Sequence, residues 1–404
     1  MNIWLIDHYA VPTKYYPLVR QTIFAKKFME RGHSVKIFAA STVHNSNINL
    51  AGNKISEEII EEGVNYVIIK CHNYEGNGLS RIMNMIEFAV KLPNVTMKYE
   101  KPDVIISTSM TLFACISGLW IGKRRKCKKI AQISDLWPET IIAYGMAKRR
   151  NPAVLFLRMI EKKIYKMADD IIFTMEGAYD YIIEQKWEKL IPKSKVHYIN
   201  NGIDLETFDF NKKTYCINDN ELQNTELFKV VYAGSIRKVN NLGLLLEVAK
   251  RITNSKVVIL IWGDGDEKKE LERRVKKEHI KNVLFKGKVP KNYIPYITSC
   301  ADLNIAHSTE SPIFRFGISL NKIFDYFAAG KPILCDFRAK YNPVIKYKAG
   351  VDVSGKKIQK IADIINEFSC MTQEEYDTYS KNARHAAEIY DFERLTEKMI
   401  RIIE

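Results

Sequence analysis

The stretch Phe316-Gly317-Ile318-Ser319-Leu320-Asn321-Lys322-Ile323-Phe324-Asp325 places a turn directly ahead of a helical apolar pattern. The first amides of a helix lack partners within it and lie at the positive end of its dipole, so they attract an anion. Lys322 adds a full charge in the first turn, where it weakens the helix unless an anion is bound. Asp325, about one turn on, lies on an adjacent face, where a carboxylate can accept two hydrogen bonds from a sugar diol. The same residues also suit a solvent-facing lysine and an ordinary first-turn acid, and the spacing alone leaves both readings open.

Other stretches carry related chemistry. Ala233-Gly234-Ser235-Ile236-Arg237-Lys238 ends a strand with small residues that let backbone approach a phosphate, and Arg237 or Lys238 would neutralise it. Trp262-Gly263-Asp264-Gly265-Asp266 begins like a dinucleotide fingerprint, but Lys268 holds the third glycine position; a tight turn with Asp266 capping a helix is the plainer reading. Asp135 and Glu139, in Ser134-Asp135-Leu136-Trp137-Pro138-Glu139, either position an acceptor hydroxyl or start a helix near Pro138. His8 and Tyr9 end the first strand and are candidate acceptor contacts. Ala329-Gly330-Lys331-Pro332 reads as a helix end rather than a P-loop. There is no HExxH and no GxSxG.

These residues need strand ends to hold them. Short β-rich runs at 3–7, 34–39, 66–70, 104–107, 129–134, 171–174 and 196–199 alternate with helix-like stretches at 18–31, 79–91, 152–167 and 176–186. After a polar connector near 200–228 the alternation restarts at 229–233, 257–262, 282–286, 303–306 and 332–335, and 392–404 is one amphipathic helix. Alternation of this kind predicts parallel sheets covered by helices on both faces, which bind ligands beyond the carboxyl ends of their strands. Two such domains facing each other would enclose a cleft. At 404 residues, 46% hydrophobic and 27% charged, the chain is long enough for two cores and is not of disordered composition. Seven cysteines without a CxxC pair argue against a disulfide or zinc framework and for a reducing compartment. The N-terminus lacks a signal-peptide pattern, and the apolar run 110–122 is too short to span a bilayer. With 62 Lys and Arg against 47 Asp and Glu, the net charge of +15 suggests an anionic partner. The cluster Lys123, Arg124, Arg125, Lys126, Lys128 and Lys129 is either a face for anionic lipid or a solvated loop. Nucleic acid is disfavoured, because no zinc finger, RRM signature or basic heptad array is present.

In order, IWLIDHYAVP, ERGHSVKIFAAS, ISDLWPETIIAYG, INNGID, VVYAGSI, LIWGDGDE and ISLNKIFDYFAAGKPIL resemble the GT-B-fold glycosyltransferases of family 4, most closely the bacterial aminosugar-transferase (fucosamine-transferase-like) subgroup of O-antigen and capsule assembly. YDFERLTEKMIRIIE is similar to the family's terminal helix. The resemblance implies an α/β GT-B fold of two doubly wound Rossmann-like domains facing across a cleft. The acceptor domain would be 1–204, with helix 385–404 packing back on it, and the nucleotide-sugar domain 205–384. It implies transfer of a sugar from a UDP-sugar to a hydroxyl with retention. Asp325 matches the second acid of the family's paired motif, which holds the ribose, and residues 317–321, with Ile318, Ser319 and Asn321, match the phosphate-binding turn. Gly234 and Ser235 match the loop after the first strand of the second domain. Asp264 and residues 286–289, Lys286 and Val289 among them, match segments near the nucleoside. Gly317 stands where the first acid would be, Ser235 at the usual arginine, Asn240 or Asn241 at the usual lysine, and Ser134 at a common histidine. PTKYYPL replaces the first glycine-rich loop.

The resulting expectation is a retaining transferase working at the cytoplasmic face of the membrane. Lys322, Asp135 and Arg237 would be catalytic, His8, Tyr9 and Glu139 would bind a lipid-linked saccharide acceptor, and an N-acetylaminosugar would be transferred. Amides near 318–321, Lys322 and Arg237 would stabilise the departing diphosphate, which would take the acceptor proton in a front-face displacement. No metal cluster is apparent, so neither metal nor cofactor is expected; the UDP-sugar is a substrate. A sugar-nucleotide epimerase of the same fold and a non-catalytic GT-B binding protein remain as alternatives.

Overall fold

The computed structural model describes residues 1–15, 20–44, 46–109 and 111–404. It divides into two compact units, Met1–Asn200 with Leu395–Glu404, and Asn201–Arg394. The sequence-based division lies at 204/205 and assigns 385–404 to the first domain.

The first unit is built on β1 (Asn2–Ile6), β2 (Ser34–Ala40), β3 (Ser56–Glu61), β4 (Val64–Ile69), β5 (Val104–Thr108), β6 (Lys128–Ile133), β7 (Asp170–Phe173) and β8 (Val196–Tyr198), in the order β3-β4-β2-β1-β5-β6-β7-β8. Neighbours run parallel except β3, which pairs antiparallel with β4. Its helices are α1 (Arg20–Glu30), α2 (Leu79–Thr96), α3 (Leu112–Arg125), α4 (Glu139–Ala143), α5 (Pro152–Met167) and α6 (Ala178–Glu184). Residues 3–6 of β1 are fully buried, as helices on both sheet faces require. The predicted helix 18–31 begins outside the described residues and is seen from Arg20. Helix α2 continues past Pro93, where the sequence suggested an end near Lys91. Proline has no N–H for the Ala89 carbonyl, and the Ser117 hydroxyl of α3 donates to that oxygen instead at 2.7 Å.

The second unit contains β9 (Phe228–Ala233), β10 (Val257–Trp262), β11 (Val283–Gly287), β12 (Leu303–His307), β13 (Ile333–Asp336) and β14 (Gly350–Asp352), all parallel, in the order β11-β10-β9-β12-β13-β14. Its helices are α7 (Leu205–Thr214), α8 (Asn220–Gln223), α9 (Gly243–Ala249), α10 (Lys268–Lys277), α11 (Ile294–Ser299), α12 (Asn321–Ala329), α13 (Pro343–Lys346), α14 (Ile358–Ser369) and α15 (Gln373–Ile389), followed by α16 (Phe392–Ile403). The polar connector is partly helical. Asp204 and Asp219 accept from the Thr207 and Leu222 amides, both at 2.9 Å, and so start α7 and α8. Most of α16 belongs to the first unit, where the Lys128 ammonium donates to the Ile402 carbonyl. Gly330 caps α12 at φ 63°, the helix end read from the sequence.

Candidate functional site

In the second unit, β9 and β12 are adjacent although β10 and β11 lie between them in the chain. The connections after these two strands leave in opposite directions, which makes a crevice at their carboxyl ends. The loops 234–240 and 308–320 border it. The position of the first depends on two glycines of the β10 loop. A Cβ on Gly263 would lie 1.8 Å from the Gly234 carbonyl oxygen, and one on Gly265 2.1 Å from that of Ile236. The Gly234 amide donates to the Trp262 carbonyl at 3.0 Å and the Ile236 amide to the Asp264 carbonyl at 2.9 Å. The GxG pair therefore serves backbone packing between loops. Asp266 does not cap the following helix: α10 starts at Lys268, and Glu267 occupies its N-cap without a side-chain bond.

Helix α12 begins at Asn321, next to the position the sequence indicated, with Leu320 at the N-cap. No side chain caps it and its first turn holds no acid, so nothing of its own offsets the positive end of its dipole. Gly317, at φ 110° and ψ 178°, makes the turn ahead of it in a conformation essentially reserved for glycine. That explains why no acid stands at this position. Ile318 is buried, so only its backbone can reach a ligand. Ser319 Oγ is buried with no hydrogen-bond partner among the described residues. Asn321 is exposed and accepts from Asn201 Nδ2 at 3.0 Å.

Lys322 folds back toward β9. Its Nζ lies 4.5 Å from the centre of the Tyr232 ring, 3.1 Å from the Tyr232 hydroxyl and 3.3 Å from Asn240 Oδ1. Tyr232 and Asn240 are held in turn by the Ser235 carbonyl, each at 2.8 Å. Among the described residues no carboxylate pairs with Lys322. Loss of water around the ammonium pushes its pKa down to about 8. Asp325, 6% exposed, is held at 2.5 Å by Lys291, from the loop that follows β11. The Tyr326 hydroxyl accepts from the Ala233 amide at 3.1 Å and ties α12 to the end of β9.

The structure thus brings Lys322, Asn321, Ser319, Ile318 and Asp325 together on one turn and helix, with Gly234 and Ser235 on the loop beside them; the ideal Cβ of Gly234 lies 3.5 Å from Lys322 Nζ. Arg237 and Asp264 are exposed. Lys286 bridges Asp219 at 2.7 Å and Glu221 at 2.5 Å, so its charge is spent within the fold. Val289 is half-buried between β11 and Lys291. Sequence reasoning passed over Tyr232, Lys291 and Tyr326. Tyr232 and Tyr326 read as apolar core, and Lys291 is one lysine among many.

The corresponding edge of the first unit is different. His8 is 1% exposed and packs edge-on against Tyr9 and Phe88, and burial lowers its pKa to about 3. A neutral ring packed among aromatics offers almost no surface to the acceptor expected there. Tyr9 is half-buried, and its hydroxyl accepts from Arg81 Nε at 3.0 Å and Nη2 at 2.8 Å, a partner the sequence did not suggest. Asp135 is exposed after β6 and caps nothing; Pro138 holds the N-cap of α4. Glu139, also expected to meet an acceptor, is instead buried and paired with Arg149 at 2.8 Å and Arg158 at 2.7 Å. Arg158 continues to Glu161, a fully buried acid hydrogen-bonded by Tyr165 and Tyr181 and raised to about 8 by burial. Residues 16–18 of PTKYYPL lie outside the described residues.

Comparison with known proteins gives these residues a context. Residues 22–207 match the model of Glycosyltransferase Family 4, and residues 217–386 that of Glycosyl transferases group 1. The Pseudomonas aeruginosa protein named "Probable glycosyltransferase WbjE" is 21% identical over 64% of this chain and 62% of its own length. A Bacillus subtilis protein named for teichuronic acid biosynthesis is 25% identical over 51% of this chain and 49% of its own. The matched stretches thus span between half and two thirds of these relatives. Sucrose-phosphate synthase from Thermosynechococcus elongatus shares the fold, with a TM-score of 0.70 at 17% identity over 99% of this chain and 98% of that one. So does Anabaena Alr3699/HepE in complex with UDP, with a TM-score of 0.68 at 15% identity over 100% and 99%.

Proposed function

We infer that this chain, a glycosyltransferase by family with a family 4 domain in its first unit and a group 1 domain in its second, moves a sugar from a UDP-sugar to a saccharide acceptor in bacterial surface polysaccharide assembly. One observation carries the donor assignment. A half-buried lysine and a buried serine hydroxyl, neither with a carboxylate or hydrogen-bond acceptor of opposite charge among the described residues, stand beside an uncapped helix start at the switch point of a Rossmann-like sheet. An anion with two phosphates answers each of these at once.

The reaction follows from the same groups. Breaking the sugar–phosphate bond builds charge on the departing diphosphate, which Lys322 and the first-turn amides of α12 would receive. Arg237, exposed on the neighbouring loop, would add a second cation. Asp325 would hold the ribose diol after sharing or exchanging Lys291. No side chain stands out as an enzymic nucleophile, so front-face displacement with retention is favoured, the leaving phosphate accepting the acceptor's proton. The first unit would take a lipid-linked saccharide, with Asp135 at a strand end available to orient its hydroxyl. The transferred sugar is proposed to be an N-acetylaminosugar, following the sequence resemblance.

The test is a donor screen with the full chain and a polyprenyl-diphosphate-linked saccharide, beginning with UDP-N-acetylaminosugars. Transfer with retained anomeric configuration supports the reading. Isomerised UDP-sugar without transfer would make the protein an epimerase, and UDP binding with neither product would make it a binding protein.

A further inference from the structure

Behind the loop that carries Asn240 lies a buried pair with no part in the reaction described so far. His307, the last residue of β12, is 1% exposed, and Asp336, the last residue of β13, is 9% exposed. The two strands pair in parallel with His307 opposite Asp336, so the side chains meet at the carboxyl edge of the second sheet. His307 Nδ1 stands 2.7 Å from Asp336 Oδ2, close enough for an electrostatic contact but out of line for a hydrogen bond. Its other nitrogen, Nε2, lies 2.7 Å from the Asn241 carbonyl oxygen. A carbonyl oxygen only accepts, so the proton at this contact sits on Nε2.

The carbonyl that His307 grips belongs to the residue after Asn240. The Asn240 side-chain oxygen is 3.3 Å from Lys322 Nζ, and its amide nitrogen donates to the Ser235 carbonyl and hydroxyl at 2.8 and 3.0 Å. Asn241 itself is at φ 45°, a left-handed conformation that asparagine tolerates better than most residues but that still needs support. The support comes from the end of β12. The Thr309 amide makes the outer contact, donating to the Val239 carbonyl at 2.7 Å, and His307 makes the inner one. The interior ring therefore fixes the backbone from which Asn240 reaches the ammonium.

We propose that His307 is a positioning residue of the phosphate site: oriented by Asp336, it clamps the Asn241 carbonyl and so sets where Asn240 holds Lys322. Buried as it is, the ring acts through the loop and not on a ligand. The inference rests on the proposed function in that this ammonium is the one assigned to the departing diphosphate.

The experiment compares two amide substitutions. Glutamine places a donor close to where Nε2 stood and keeps the bond to Asn241, whereas asparagine reaches Asp336 but is too short for the carbonyl. The first readout needs no substrate. The Lys322 ammonium is followed by NMR through a pH titration of the full chain, its signal identified by its loss in Lys322→Arg. His307→Asn should move the titration up toward the ordinary lysine range, because an ammonium released from Asn240 and Tyr232 regains water, and His307→Gln should leave it in place. The second readout is transfer. His307→Asn should lower kcat about tenfold or more with KM for the donor unchanged, and His307→Gln should restore it. In a Lys322→Ala background His307→Asn should cost nothing further. Asp336→Asn, which leaves the ring but removes the charge orienting it, should give a smaller loss in the same direction, and it serves as the second variant if His307→Asn does not fold. An unmoved titration in a folded His307→Asn protein, equal losses in His307→Gln and His307→Asn, or a full additional loss in the Lys322→Ala background overturns the proposal. A titration that moves while kcat stays at the wild-type value upholds the clamp and strikes the role given to Lys322 in the reaction. If the donor screen yields no transfer, the titration decides alone.

Discussion

The carboxyl edges of the two sheets handle charge in opposite ways. In the first unit, Glu139 is closed off by Arg149 and Arg158, Glu161 by Tyr165 and Tyr181, and His8 is held neutral by burial. In the second, Lys322 rests on a tyrosine ring and an amide oxygen, the helix beside it has no side-chain cap, and among the described residues Lys322 meets no opposite charge and Ser319 Oγ no hydrogen-bond partner. Buried charge satisfied inside a protein stabilises or specifies the fold. Charge left unsatisfied at a strand end costs stability and is explained by something that binds there.

Removing Lys322 tests that contrast most severely. Lys322→Ala should lower kcat by about 10²-fold or more, as expected for loss of a preformed donor to the leaving group. Lys322→Met should at the same time raise the melting temperature, because the native state holds this ammonium unfavourably. The sign is fixed by the depressed pKa. Between about 8 and the ordinary lysine value the unfolded chain binds the extra proton, so stability rises with pH across that window, and below it the full cost is present. UDP affinity should fall as pH rises through about 8, and Lys322→Arg, charged throughout, should flatten that fall. Wild-type kcat in a folded Lys322→Ala protein would remove the distinction between the two edges.

Asp325 is the intermediate case, since it lies at the proposed donor site yet is already paired. Asp325→Ala should weaken UDP binding about tenfold, the range of one or two hydrogen bonds to a charged group. It also frees Lys291. If calorimetry gives unchanged UDP affinity, Asp325 serves the fold as Glu139 does, and the ribose contact lies elsewhere.

What was legible in the sequence follows from the range of the interaction concerned. The strands β1, β2, β5, β6 and β10 read clearly because both their faces are buried and their apolar runs are continuous. The start of α12 was visible because a glycine turn, a lysine and an apolar pattern lie within ten residues. The edge strand β3 was missed, since SEEIIE is polar and Ile60 points outward. Helices α7 and α8 were missed because their caps, Asp204 and Asp219, resemble loop residues until their amide partners are known. The roles of Lys291, Lys286 and Arg158 depend on carboxylates 34, 67 and 19 residues distant, which no local pattern reveals. The arginine partners of Glu139 were hidden for the same reason. A carboxylate at a strand end looks the same in sequence whether it meets a substrate or two arginines.

Glu139→Gln should have the smallest effect on nucleotide handling and a clear one on the fold. The substitution keeps the shape but removes the charge facing Arg158, which is 15% exposed and would retain the Tyr181 hydroxyl at 2.7 Å and, as its remaining acid, Glu161 at 3.7 Å. Arg149 is half exposed, so its share is small. Loss of one charged hydrogen bond in this setting costs about 2 kcal/mol, which should lower the melting temperature of the first unit by about 4–8 °C. UDP affinity should stay at the wild-type value, because the groups proposed to hold the nucleotide stand in the other unit. An intact melting temperature combined with a raised KM for acceptor would show that Glu139 faces substrate after all, and would make the two sheet edges more alike than their ion pairs suggest.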